Sequence, residues 1–123
     1  MNVYWRIRRA LLRFIDRLRG RRTFFRAVSI PEYLSICQSR RLTLVPASSA
    51  GKHLAVKYEA ACEWGRRLHK GSGFRVVAVS FPESVATDFY SWTNLDGIGA
   101  AAFAEQGTLE YAILTPRVDD QNA

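Results

Sequence analysis

The sequence predicts an α+β fold preceded by a basic helix, and three observations support this. Segments rich in aromatic and β-branched residues alternate with segments of helical periodicity along the whole chain. One of the former, "FRVVAVSF" (74–81), is apolar on both faces, as a strand covered on both sides should be. The cationic excess is confined to the first 22 residues and leaves a neutral domain behind it.

In residues 1–22, Val3, Ile7, Leu11, Phe14, Ile15 and Leu18 recur at helical spacing, with Tyr4 and Ala10 on the same arc and most arginines opposite. Gly20 is placed to stop that helix. "TFFRAVS" (23–29) reads as a strand. "PEYLSICQSR" (31–40) opens with a first-turn proline and reads as a helix. "RLTLVP" (41–46) suits a short strand, "ASSAG" a loop, and "KHLAVKY" a strand or loop before a helix through "EAACEWGRRLHK". "GSG" (71–73) is a turn ahead of the central strand, which Pro82 ends. The remainder predicts a helical "PESVATDFY", a loop "SWTNLDGIG", a short helix "AAAFAE" and a final strand "TLEYAILTP". In that strand Leu109, Tyr111 and Ile113 would share one face, and Glu110 would share the other with Ala112 and Leu114.

At 123 residues and 48% hydrophobic content, the chain suffices for one domain with a real core and is too apolar for disorder. No apolar run approaches the roughly 20 residues of a membrane-spanning helix, and no apolar segment with a small-residue cleavage site opens the chain. Cys37 and Cys62 fall in helical segments and read as buried free thiols. With His53 and His69 they show no paired metal-ligand spacing, so no metal is expected.

Residues 1–22 hold eight arginines against Asp16 alone, which accounts for the entire net charge of +7; the other 101 residues balance ten cations with ten acids. A nucleic-acid-binding domain usually spreads its basic residues over the folded surface, so that class is disfavoured. The N-terminal helix instead suits packing on the domain or a partner, or docking on anionic lipid or an acidic protein. An Arg-rich, acid-poor organelle-targeting segment is a further possibility, although the expected serines are missing.

Two nucleotide-binding motifs fail. "VPASSAGKH" nearly spells a phosphate-binding loop, but Pro46 stands where the first Gly belongs and His53 where Ser or Thr would hold Mg²⁺. "GIGAAA" (97–102) follows a polar loop rather than a strand, so a tight turn with Gly97 or Gly99 at positive φ is expected.

From Thr23 to Pro116 the chain resembles the small ADP-ribosyltransferase-like domains of bacterial polymorphic toxins. The resemblance rests on "FFRAVSIPEYLSICQSRRL", "GKHLAVKYEAACEWGRRL", "FRVVAVSFPESVATDFYSW" and "NLDGIGAAAFAEQGTL" occurring in that order. It implies a small split sheet with interleaved short helices over 23–118 and, for a toxin, an immunity partner that the N-terminal helix could meet; the change of character after "GRR" bounds the basic helix at 1–22, and 119–123 is a tail. The resemblance also implies NAD as substrate, with no metal, and a macromolecular acceptor, expected to be protein. The chain would be soluble, membrane-peripheral or delivered into a target cell's cytoplasm.

The family's first-strand Arg, which grips the NAD pyrophosphate, corresponds to Arg26, a side chain suited to bidentate charged hydrogen bonds. Tyr58 and Trp92 join it as cofactor-binding candidates, Tyr58 where the family carries Ser or Thr and this chain has "AVKY" (55–58). Phe89 and Trp92 could stack on nicotinamide or a protein target, or close the core. The closing Glu of the family corresponds to Glu105 or Glu110, a carboxylate placed to stabilise an oxocarbenium-like ribose. Glu105, on the loop before the last strand, is the favoured one. The alternative is a non-enzymatic module that docks through its arginines.

Overall fold

A computed structural model describes residues 3–18, 20–42 and 51–115. Helix α1 (Val3–Leu18) is followed by Gly20 at φ +71°, the left-handed conformation that turns the chain into strand β1 (Arg21–Val28). β1 thus takes in two arginines that the sequence assigns to the basic segment. Arg21 donates to the Ser80 hydroxyl and carbonyl, and Arg22 pairs with Glu83.

Helix α2 (Ile30–Ser39) begins where the Ser29 hydroxyl accepts from the Glu32 amide and Pro31 occupies the first turn, and it ends at Arg40 in the left-handed region. The expected strand at 41–46 falls largely outside the described residues. Strand β2 (Gly51–Ala55), helix α3 (Tyr58–Leu68) and strand β3 (Arg75–Pro82) follow as expected. Gly65 lets α3 lie against the Phe74 ring, which a Cβ would meet at 2.5 Å.

The C-terminal third departs from expectation. Helix α4 is only Glu83–Ala86, and strand β4 (Tyr90–Leu95) occupies what reads as a loop. Asp96 and Gly97, both at positive φ, form the two central residues of a turn closed by the Ile98 amide on the Leu95 carbonyl, and they fold β4 back onto strand β5 (Gly99–Glu105).

The "AAAFAE" segment is therefore strand rather than helix. Its alanines fit because Ala101, Ala102 and Ala104 are buried in a sheet with both faces covered, and that packing overrides the helix preference of alanine. "TLEYAILTP" is mostly not strand. A 3-10 helix spans Gln106–Tyr111, started by the Thr108 hydroxyl on the Glu105 carbonyl, and strand β6 is only Ile113–Thr115. Leu109 turns into the core while Tyr111 and Ile113 stay exposed, so the expected common face does not form.

The six strands make one antiparallel sheet in the order β4-β5-β2-β1-β3-β6. β3 is the most buried, Val76 to Phe81 all being inaccessible. One core lies on the α2 face, around Phe24, Ile36, Leu54, Val79 and Phe81, with Phe89 closing it against Phe24 and Phe81. The other lies beneath α3, around Phe25, Tyr58, Ala61, Val76 and Ala78. Cys37 and Cys62 form no disulfide, Cys37 being exposed rather than buried and Cys62 half-buried. No described helix is long and apolar enough to cross a membrane.

The split in the sheet as a candidate site

β1 pairs with β3 along all eight residues, yet it meets β2 at one residue pair, Phe25 with Ala55. Past that pinch the strands separate, with Arg26, Ala27 and Val28 on one arm and Leu54, His53 and Lys52 on the other. A cavity of about 490 Å³ opens there. Its walls include Phe25, Arg26, His53 and Ala55, roofed by Trp64 of α3 and by Asp96 of the β4–β5 turn. The roof is tied by the Trp64 indole N–H donating to Asp96 Oδ2 at 3.4 Å.

Arg26 spans the opening. Its guanidinium donates to the His53 carbonyl at 3.0 Å, and its Nε lies 3.6 Å from Glu32 Oε2. Lys52 Nζ, from the opposite arm, lies 3.6 Å from the same carboxylate oxygen. Two largely buried cations, one from each arm, therefore share one acid, and Arg26 Nε and Glu32 Oε2 make no hydrogen bond within the described structure. Burial, and after it the Arg26 charge, hold Lys52 below its ordinary pKa, against the pull of Glu32. The net positive charge suits an anionic group lodged between the arms, where the Glu32 carboxylate now sits.

Of the two glutamates, Glu105 ends β5 opposite Gly51, the first residue of β2, and is exposed. It shares a strand face with Phe103, whose partner is His53. Strand spacing puts its backbone roughly 8 Å from that of His53, the residue Arg26 reaches. Arg26 and Glu105 thus stand at the same open end of the sheet, but strand alternation turns Arg26, with Phe24 and Val28, to the α2 face and Glu105, with Phe103 and His53, to the α3 face. Glu110 lies instead on the 3-10 helix, next to Tyr111, whose carbonyl accepts from Arg21 at the far end of β1. Neither glutamate lines the cavity wall.

Tyr58 is buried, its ring edge-on to Phe25 behind the pinch. Trp92 lines a second cavity of about 400 Å³ on the other side of the pinch, and its ring lies 5.6 Å from His53 and 4.7 Å from Tyr90. His53 also meets Phe103 edge-on at 4.9 Å, which makes a continuous aromatic surface beside the opening.

Sequence reasoning missed Lys52, Glu32, Trp64 and Asp96. The Asp-Gly pair was the available signal for the last, being the strongest short-range mark of a hairpin. The cavity, the paired cations and the aromatic surface lie together around the opening between β1 and β2 of an α+β protein. No protein-family model, curated protein or solved structure matches the chain. Among the described residues no group of His, Cys, Asp or Glu could hold a metal ion.

Proposed function

We propose that the chain is a mono-ADP-ribosyltransferase-like toxin or effector domain of the small split-sheet type, transferring ADP-ribose from NAD to a macromolecular acceptor, most naturally a protein. The observation that carries this is the split itself: strands held apart beyond one residue pair, with a guanidinium from the first strand across the opening and the Glu105 carboxylate at the end of β5 on the opposite face of the same open end, so that a dinucleotide would pass through the split.

Arg26 and Lys52 hold the pyrophosphate, replacing their contact with Glu32. His53 and Trp92 offer ring faces to the nicotinamide. Glu105 hydrogen-bonds a ribose hydroxyl and stabilises positive charge at the anomeric carbon as nicotinamide leaves. The acceptor's nucleophile then forms the new bond to that carbon and gives up its proton. Tyr58 supports the pinch from behind through Phe25.

The test is incubation of the purified chain with labelled NAD and a cell lysate. Transfer of label to a discrete band is expected, with a fall of at least about a hundredfold in Glu105→Gln and little change in Glu110→Gln. Absence of labelling by the parent chain, or full activity in Glu105→Gln, overturns the assignment.

A further inference from the structure

Helix α1 carries five of the ten exposed large apolar side chains among the described residues. Val3 is 63% exposed, Ile7 62%, Leu11 54% and Phe14 53%, so the stripe expected to pack on the domain is open from Val3 to Phe14, with Ile15 half-buried. Set on a helical wheel at 100° per residue, these four with Tyr4, Ala10, Ile15 and Leu18 occupy one arc of roughly 140°. Arg8 and Arg17 stand at its two borders, and Arg6, Arg9 and Arg13 follow on the polar side. Within Val3–Leu18 there are five arginines and one acid, Asp16. The end of the helix is joined firmly to the body, since the Gly20 carbonyl accepts from the Glu83 amide at 2.8 Å and Arg22 pairs with Glu83.

We infer that α1 lies flat in the headgroup region of an anionic bilayer, its apolar arc in the acyl boundary and its arginines on lipid phosphates. Charge decides among possible occupants. A second copy of α1 would cover the stripe but would bring two strongly cationic helices together. A nucleic acid would satisfy the arginines and leave the apolar arc in water. An anionic lipid surface satisfies both along the helix's roughly 24 Å length, and border arginines reach headgroups with their stems along the apolar boundary. This surface is independent of the cavity and of the reaction assigned to it.

The experiment is co-sedimentation of the full chain with phosphatidylcholine vesicles containing 30% phosphatidylglycerol, against pure phosphatidylcholine, at low and high salt. Binding to the anionic vesicles alone is expected, weakening as salt screens it. The double variant Ile7→Asp/Leu11→Asp should lose about a hundredfold in affinity through its lost apolar anchors, and Arg6→Gln/Arg8→Gln about twentyfold. Thermal unfolding should show the body of both variants still folded. No binding by the folded parent overturns the inference. So does unchanged binding of the aspartate variant, which would reveal charge-only attachment of the kind an acidic polymer provides. Self-association abolished by the aspartate variant, with vesicle binding absent, assigns the stripe to a second copy and also overturns it.

Discussion

Neutralising Glu32 should move stability and anion affinity in opposite directions. Its Oε2 lies 3.6 Å from both Arg26 Nε and Lys52 Nζ. Coulomb's law at an effective dielectric constant near 20 gives about 4 to 5 kcal/mol for each contact at that distance, an upper bound. Neither contact is a hydrogen bond, and although Oε2 is covered the Glu32 side chain as a whole is 27% exposed, so the net contribution of each falls to about 1 kcal/mol. Glu32→Gln therefore costs about 2 kcal/mol of folding stability, a drop of roughly 6 to 10 °C in Tm for a domain of this size. The same substitution leaves Arg26 and Lys52 without their acid, and an incoming phosphate no longer has to displace it. Affinity for inorganic pyrophosphate should rise by up to about thirtyfold, the equivalent of 2 kcal/mol. Scanning calorimetry measures the first quantity, and isothermal titration with pyrophosphate at low ionic strength the second. A variant that loses stability but binds pyrophosphate no better than the parent would refute an anion site at the split and leave Glu32 as structural glue.

Lys52 should give the fold a specific pH dependence. Its folded pKa is below 10.5, so between that value and 10.5 the unfolded chain keeps a proton that the folded chain has lost, and stability contributed by this group rises with pH across that window. Urea unfolding of the parent and of Lys52→Met from pH 8 to 11 should show the difference shifting in the parent's favour as pH rises; a flat difference would mean that Lys52 titrates normally. Gly65→Ala should lower stability by about 1 to 2 kcal/mol, because the added Cβ meets the Phe74 ring at 2.5 Å and outweighs the helix preference of alanine. Chemical denaturation showing a stabilised variant would mean that the ring moves aside freely.

The first two thirds of the fold were legible because hydrophobic periodicity and capping agree there. Ser29, Pro31 and Gly20 mark element ends with the residues that chemistry requires, and "FRVVAVSF" has one physical reading. The last third was misread where two local signals conflict with the sheet. Consecutive alanines favour a helix in isolation, yet between β2 and β4 small side chains are what close packing demands, and Ala60 lies 3.3 Å from where a Cβ on Gly99 would be. In "TLEYAILTP" the alternation imitates a strand, but the Thr108 hydroxyl on the Glu105 carbonyl starts a 3-10 turn that only the hydrogen-bond pattern reveals. Of the site, Arg26 was reached through the resemblance, as the arginine of the first strand. Lys52 and Glu32 were not, since their meeting depends on how α2 docks against two diverging strands.

The split follows from the side chains at its own edges. Continuing the register beyond Phe25 and Ala55 would draw Arg26 and Lys52 further from water with only Glu32 to balance them. Several backbone hydrogen bonds, each worth about 1 kcal/mol, do not outweigh burying an unmatched cation. The strands therefore stay apart, and the charges that prevent closure are the ones a phosphate would satisfy. A structural role alone would be met by an apolar pair and a zipped sheet, so two cations where the sheet opens form a local conflict that supports the proposed anion site. The basic helix follows the same logic on a separate surface. Val3–Leu18 holds five arginines and one acid, whereas the residues from Thr23 on balance ten cations with ten acids, so the surface inferred for α1 and the ligand proposed for the split would be two different partners.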